Sequence, residues 1–437
     1  MKAFESIEQL LGAASNWQGL EENYLSMLKR LPQADSKGIK SVLWKNIGDL
    51  YRYKLKNIEG ATQAYTVLAK MSPDDVSVLE VLADLLSKNP AAIDDAILTW
   101  QRLVQLSPDK MTRPLHELVR LYLGKKMGDR AYLATSVLKT LNDISPQEQQ
   151  LLTAYQKQAP GQAKRALTDK LWDALLVHPT ARGPLAQLST ILWRSAGSAL
   201  MRQPKDYGFD KKKIWERKDL DAPVPMYFVT QLKYVRGVLN LGALELWEKQ
   251  DGAESLAPLA LETPTLAVGK GNTILRDTNA RALWFQIGRQ VTSFRPAFML
   301  PRTLGAQRFN ALIDVAIRLV EPRYPTKGDP KDIADIEKAL MKIAAPLANA
   351  IKPVVTELLK SRQQISTKLF LEGMEHTALR TGYLLTADLD LFMAVAKQPE
   401  GGAIPLPFQA KVKELLLFAA SEEHFELRQR LGTAIVG

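Results

Sequence analysis

Residues 282–296 of this chain read ALWFQIGRQVTSFRP. The apolar residues of this stretch recur at helical spacing, so the pattern predicts a core helix over residues 279–294. The polar residues Arg289 and Ser293 are four positions apart, which places them on one face of that helix. Gln290 follows Arg289 directly. Composition alone favours a core helix.

The elements around this helix predict an α+β domain. Short apolar runs that end at turn residues precede it, and these runs are the only strand candidates in the sequence. Amphipathic helical patterns follow it. The predicted strands cover residues 243–247, 255–261 and 264–269, and the predicted helices cover residues 226–239, 304–320, 332–359 and 370–396.

The last of these helices carries a second motif, E-x-x-A-x-R-x-G, formed by Glu375, Ala378, Arg380 and Gly382. The order of elements and this motif resemble the HtpX-like family of gluzincin peptidases. In that family a first helix carries H-E-x-x-H, whose two histidines bind zinc and whose glutamate acts on the water. The third zinc ligand is the glutamate of an E-x-x-A-D-R-x-G motif. The resemblance covers roughly residues 225–396.

The residues that would perform the chemistry are replaced together. Arg289, Gln290 and Ser293 stand where the family has His, Glu and His, and Leu379 stands where it has Asp. Zinc requires imidazole, carboxylate or thiolate donors, and no two of the four histidines are four residues apart. We therefore expect no metal, no cofactor and no catalytic residue. The vestigial-site residues under this interpretation are Arg289, Gln290, Ser293, Glu375 and Arg380.

Two interpretations remain open for the residues that replace the zinc ligands. The Arg289 guanidinium can replace the zinc charge and pair with the Glu375 carboxylate, or both side chains point to solvent. An alternative class of function also remains, a hydrolase whose site is unrecognised or a residual metal site that uses Glu375 and His376. Neighbours on a helix point about 100° apart, which disfavours that pair as ligands of one metal.

The first third of the chain predicts helical repeats with a period of about 34–35 residues. In the clearest unit Trp44, Gly48 and Tyr51 fall on one helix, Tyr65 falls on the next, and Pro73 ends it. This unit resembles the tetratricopeptide repeat, although the turn between its helices is one residue longer. Such repeats stack to bury their apolar faces, so the resemblance implies a solenoid that either binds another protein or braces the rest of the chain.

A second resemblance covers more of the chain, to tetratricopeptide-repeat proteins of myxobacteria and related deltaproteobacteria. It rests on Trp44–Pro73, on the strand PTLAVGKG, on IGRQVTSFRP and on the terminal SEEHFELRQRLGTAIVG. It implies an architecture rather than an activity.

A basic segment, residues 202–218, separates the repeats from the strands and reads RQPKDYGFDKKKIWERK. Basic residues interleaved with aromatic residues are typical of a surface that binds nucleic acid or another anion. No recognition motif accompanies the segment, so we favour a solvated loop whose aromatic side chains pack on the core. The candidate surface consists of Lys211, Lys212, Lys213, Arg217 and Lys218.

The bulk composition is consistent with a globular, multidomain chain. Its 437 residues lack cysteine, carry a net charge of +11 and are 46% hydrophobic. We find no signal peptide and no apolar run long enough to span a membrane, so we expect a cytoplasmic protein. The predicted domains are tetratricopeptide-like repeats over 1–160, a helical connector with the basic loop over 161–222, and the peptidase-like domain over 223–437.

The sequence thus predicts a mainly α protein, with a tetratricopeptide-type α-solenoid followed by an α+β domain that resembles a zinc-peptidase core. We expect a non-catalytic interaction or scaffold protein whose repeats contact another protein. The alternatives are the hydrolase described above and a binder of nucleic acid or another anionic partner through the basic surface, of which nucleic acid is the least favoured partner.

Overall fold

The computed structural model of the chain describes residues 2–32, 37–159, 161–224, 226–360, 365–397 and 404–435. These residues are mainly helical and include one small mixed β-sheet. They form two compact units that divide between Lys157 and Gln158. The predicted connector and the predicted peptidase-like domain fall in the same second unit.

The first unit consists of short helices, each of which packs against the next. The helices are α1 (Lys2–Ala13), α2 (Trp17–Arg30), α3 (Lys37–Asp49), α4 (Ile58–Met71), α5 (Val76–Leu86), α6 (Ile93–Leu106), α7 (Thr112–Gly124), α8 (Gly128–Thr140) and α9 (Pro146–Gln156).

Helices α3 and α4 pack closely because Gly48 has no side chain. A Cβ atom there would lie 2.6 Å from the Tyr65 ring, whose hydroxyl donates a hydrogen bond of 2.6 Å to Asp49. Asp75 begins α5 by accepting hydrogen bonds from the backbone of the first turn. Gly48 therefore permits the close approach of α3 and α4, and Asp75 caps the helix that follows the turn at Pro73.

The second unit surrounds the sheet with helices. Its helices are α10 (Asp169–Leu171), α11 (Pro184–Leu200), α12 (Tyr227–Val238), α13 (Ala280–Val291), α14 (Pro296–Arg318), α15 (Pro330–Leu340), α16 (Ala344–Lys360), α17 (Thr367–Thr386), α18 (Leu389–Ala396), α19 (Phe408–Ala419) and α20 (Glu422–Leu431). Its strands are β1 (Trp215–Lys218), β2 (Glu245–Lys249), β3 (Ala257–Leu259) and β4 (Thr265–Gly269).

The sheet has the strand order β1-β2-β4-β3. Strand β2 runs parallel to β4, and the outer strands β1 and β3 are antiparallel to their neighbours. The three strands that the sequence predicts correspond to β2, β3 and β4. The sequence missed β1 because this edge strand reads WERK, with Glu216 and Arg217 exposed, and therefore lacks the apolar signal of a buried strand.

Two predicted helices are each divided in the structure. The helix expected over 332–359 becomes α15 and α16, and Pro346 lies in the first turn of α16, where its missing N–H is tolerated. The helix expected over 370–396 ends at Ala387, which adopts a left-handed conformation with φ 48°. Asp388 then caps α18. In the described part of the chain, no helix combines the length and the apolar character that crossing a membrane requires.

Candidate functional site

The site is built on a close pair of helices, α13 and α17. Gly382 of α17 faces the backbone of α13, so that a Cβ atom at Gly382 would lie 2.8 Å from the Phe285 carbonyl oxygen. Gly288 of α13 faces back toward Gly382 and Leu385. These two glycines belong to the two motifs that the sequence singled out. Their contact therefore brings the two motif helices together.

A cleft of about 640 Å³ opens beside this helix pair. Four of the five vestigial-site residues line it, namely Arg289, Gln290, Ser293 and Glu375. Other residues from α14 and from the segments next to β3 and β4 complete the lining, among them Leu256, Asn272, Arg276, Asp277 and Arg302. Residues separated by about eighty positions in the sequence thus share one polar cavity.

Within the cleft the Glu375 carboxylate lies beside an arginine that the sequence analysis did not single out. Glu375 is 6% exposed, and Arg302 Nη1 of α14 lies 4.0 Å from its Oε1 atom. Arg289, the partner expected from the sequence, lines the same cleft. The only sequence signal for Arg302 is that it is a single cation within the otherwise apolar start of α14.

The donor set of the cleft does not fit a peptidase zinc ion. A catalytic zinc site uses three protein ligands and keeps a fourth position for water. The cleft lining includes the carboxylates of Asp277 and Glu375 but no imidazole and no thiolate. Across the described ranges, no three His, Cys, Asp or Glu side chains are grouped so that they could hold a metal. The cleft residues can instead donate and accept hydrogen bonds and hold charged groups.

The structure does not bring Arg380 to this cleft. It lies five residues after Glu375, which on a helix is a rotation of about 140°. Its Nε atom donates a hydrogen bond of 2.8 Å to Glu414 of α19, and its guanidinium lies over the Phe418 ring at 4.6 Å from the centroid. The fifth vestigial-site residue therefore belongs to a separate buried cluster.

That cluster includes two of the four histidines. His178 Nδ1 accepts a hydrogen bond from the Thr180 backbone N–H, so Nε2 carries the proton that faces Glu414 at 3.3 Å. The His376 ring lies 5.1 Å from the His178 ring. His376 and Glu375 thus lie on different sides of α17, which separates the two residues of the suggested residual metal site.

Two groups of the cluster, Glu414 and His376, have pKa values shifted away from their ordinary range. Burial alone would raise the pKa of Glu414, but the hydrogen bond from His178 and the charge of Arg380 lower it to about 2. Burial lowers the pKa of His376 from 6.5 to about 4, against an opposing effect of Glu414. The buried Nδ1 atom of His376 has no hydrogen-bond partner within the described part of the chain. A neutral His376 and an ionised Glu414 are therefore the native forms at neutral pH.

We expect the buried His376 to make the protein sensitive to mild acid. The unfolded chain binds a proton at this side chain below its ordinary pKa of 6.5, whereas the folded chain does so only near 4. This difference lowers the free energy of unfolding by about 2 kcal/mol between pH 7 and pH 5. The measurement is denaturant unfolding at both pH values for the parent and for His376→Gln. An equal loss in both proteins would contradict the assignment.

The basic segment folds against the sheet. Phe209 is buried and stacks on Trp247, with 4.4 Å between the ring centroids. Lys218 forms ion pairs of 2.9 and 3.1 Å with Glu216 and Glu248. A further ion pair of 3.1 Å joins Arg217 to Glu245. Of the five basic residues named from the sequence, Lys211, Lys212 and Lys213 remain as an exposed group, and the aromatic residues pack on the core.

Comparison with known proteins finds no family model that matches this chain and no curated protein that matches it. The interpretation of the cleft therefore rests on its own geometry and on the residues that line it.

Proposed function

We propose that this chain is a non-catalytic interaction protein. In this proposal its first unit is a tetratricopeptide-like module that binds another protein. Its second unit is a peptidase-like core in which arginine, glutamine and serine replace the zinc ligands and the general base. The observation that carries the proposal is the cleft shared by Arg289, Gln290, Ser293 and Glu375.

The charge arrangement of the cleft supports this interpretation. A glutamate left buried without a cation would cost several kcal/mol, and Arg302 lies beside Glu375 where a metal cation would otherwise be needed. Gln290 occupies the position of the general base, and an amide cannot accept a proton from water near neutral pH. The cleft thus has a stable arrangement of charges that does not require a metal.

The surface of the first unit supports the interaction role. Large apolar side chains are exposed at one-turn spacing on two of its helices, as Ile7 and Leu10 on α1 and as Ile39 and Val42 on α3. Leu10 is 71% exposed and Val42 is 59% exposed. On each helix the two side chains lie one turn apart and form a small exposed apolar stripe, a feature of protein interaction sites.

The experiment uses the full chain as bait in lysate of its native host. We expect the parent to capture at least one protein stoichiometrically and the double variant Leu10→Asp/Val42→Asp to lose it, because a buried carboxylate disfavours an apolar interface. The matched control is Met341→Asp/Leu369→Asp, which changes exposed apolar residues of the second unit. Equal capture by all three proteins, or loss in the control alone, would contradict the proposal.

A further inference from the structure

A second cavity lies in the second unit, away from the residues of the cleft. Its volume is about 530 Å³, and it is bounded by α11, by the start of α14, by Val354 of α16 and by the short turn that contains Ala181. Its apolar lining includes Val177, Ile191 and Phe298. A cavity of this size with an apolar lining is within the range that holds a small organic ligand.

The cavity also carries an excess of positive charge. Arg182, Arg194 and Arg295 line it together with one carboxylate, Asp173. That carboxylate already accepts a hydrogen bond of 3.1 Å from Arg295, which also pairs with Asp169 at 2.6 Å. The charges of Arg182 and Arg194 are therefore left without a carboxylate partner among the residues that line the cavity.

The two remaining arginines differ in their surroundings. Arg194 is exposed and forms no ion pair with any residue that the structure describes. Arg182 is half-buried, and its Nε donates a hydrogen bond of 2.7 Å to the Val177 carbonyl oxygen, a neutral acceptor. Burial and the nearby charge of Arg380 lower the pKa of Arg182, and Glu423 and Asp173 offset this only in part. An anion beside Arg182 and Arg194 would balance these charges.

We propose that this cavity binds a small amphipathic anion, with an apolar body among Ile191, Phe298 and Val354 and an anionic head between Arg182 and Arg194. Guanidinium groups bind carboxylate and phosphate heads through charge-assisted hydrogen bonds. The apolar lining contributes in proportion to the apolar surface of the ligand that it removes from water. Tight binding therefore requires both the apolar body and the anionic head of the ligand.

The test is isothermal titration of the full chain with decanoate below its micelle concentration, with decyl phosphate, with decanol and with acetate. Decanoate and decyl phosphate distinguish the two kinds of anionic head. We expect one of them to bind at one site per chain and at least tenfold more tightly than decanol, because the head group forms charge-assisted hydrogen bonds. Acetate lacks the apolar body and is expected not to bind. Binding of decanol as tight as that of both anions would overturn the proposal, as would the absence of binding by either anion.

Variants locate the site. Arg194→Gln removes an exposed cation and is expected to weaken binding about tenfold with no change in the melting temperature. The matched control Arg323→Gln removes an equal charge from an exposed position outside the cavity and is expected to leave binding unchanged. Ala186→Trp fills the cavity and is expected to abolish binding. Equal effects of Arg194→Gln and Arg323→Gln would show general charge attraction and overturn the assignment.

Discussion

Replacement of Arg380 by methionine is expected to lower the free energy of unfolding by about 3–5 kcal/mol, because it leaves the Glu414 carboxylate buried without its guanidinium partner. Arg380 is 8% exposed, and it both donates to Glu414 and covers the Phe418 ring. His178 Nε2 remains 3.3 Å from Glu414, but a single hydrogen bond from the imidazole does not replace the guanidinium. The measurement is denaturant unfolding at pH 7.

Two further variants test whether the loss of stability comes from breaking the buried ion pair or from removing an arginine in general. The double variant Arg380→Met/Glu414→Leu removes both charges and is expected to be more stable than Arg380→Met alone, since an apolar pair of similar volume tolerates burial. The matched control is Arg430→Met, because Arg430 pairs with Glu426 at 3.1 Å on an exposed face of α20. That change is expected to cost less than about 1 kcal/mol. Similar losses for Arg380→Met and Arg430→Met would refute the assignment.

Replacement of Gly382 by alanine is expected to destabilise the fold by about 3 kcal/mol. The added methyl group would lie 2.8 Å from the Phe285 carbonyl oxygen, and backbone cannot move aside as a side chain can. The helices α13 and α17 would have to separate, which would disturb the packing beneath the cleft. The loss of stability is measured by thermal and denaturant unfolding.

Alanine substitutions at two other glycines serve as controls, because smaller changes in stability are expected there. Alanine at Gly288 would collide only with the end of the flexible Leu385 side chain, so a smaller loss of about 1–2 kcal/mol is expected. Alanine at Gly237 meets no atom within 4 Å and is expected to stabilise α12 by up to about 1 kcal/mol through helix propensity. If Gly382→Ala proved as harmless as Gly237→Ala, the close contact of the two motif helices would be wrong.

Within the described ranges, local patterns in the sequence predicted most of the helices and three of the four strands. They failed where the signal is not local. Strand β1 is a polar edge strand whose place depends on its pairing with β2 and on Phe209, which stacks on Trp247. The predicted helix is divided at Ala387, which adopts a left-handed conformation although it is not a glycine. The sequence therefore gives no local signal for this break.

The candidate site was predictable to the extent that it depends on two motifs. Spacing placed Arg289 and Ser293 on one face and set Glu375 apart from His376. It could not identify Arg302, because only the packing of α14 against α17 brings that cation to Glu375. It grouped Arg380 with the wrong cluster, since the motif spacing gives no information about α19 or Glu414. The partners of buried charges are properties of the tertiary structure.

Restoring the zinc ligands tests the proposal that the cleft is a peptidase site in which those ligands have been replaced. The variant Arg289→His/Gln290→Glu/Ser293→His, combined with Arg302→Met to release Glu375, has two imidazoles and one carboxylate for the metal. The control Arg289→His/Gln290→Glu/Ser293→Ala, also with Arg302→Met, lacks the second imidazole of the i,i+4 pair and so has one protein ligand fewer.

Zinc bound per chain is measured by equilibrium dialysis and elemental analysis. We expect about one zinc ion in the restored chain, at least tenfold weaker binding when Glu375→Gln is added, and no stoichiometric zinc in the parent or in the control. If the restored chain retained no more zinc than the control, or if the parent itself held one zinc ion per chain, the account of a degenerate peptidase core would be contradicted.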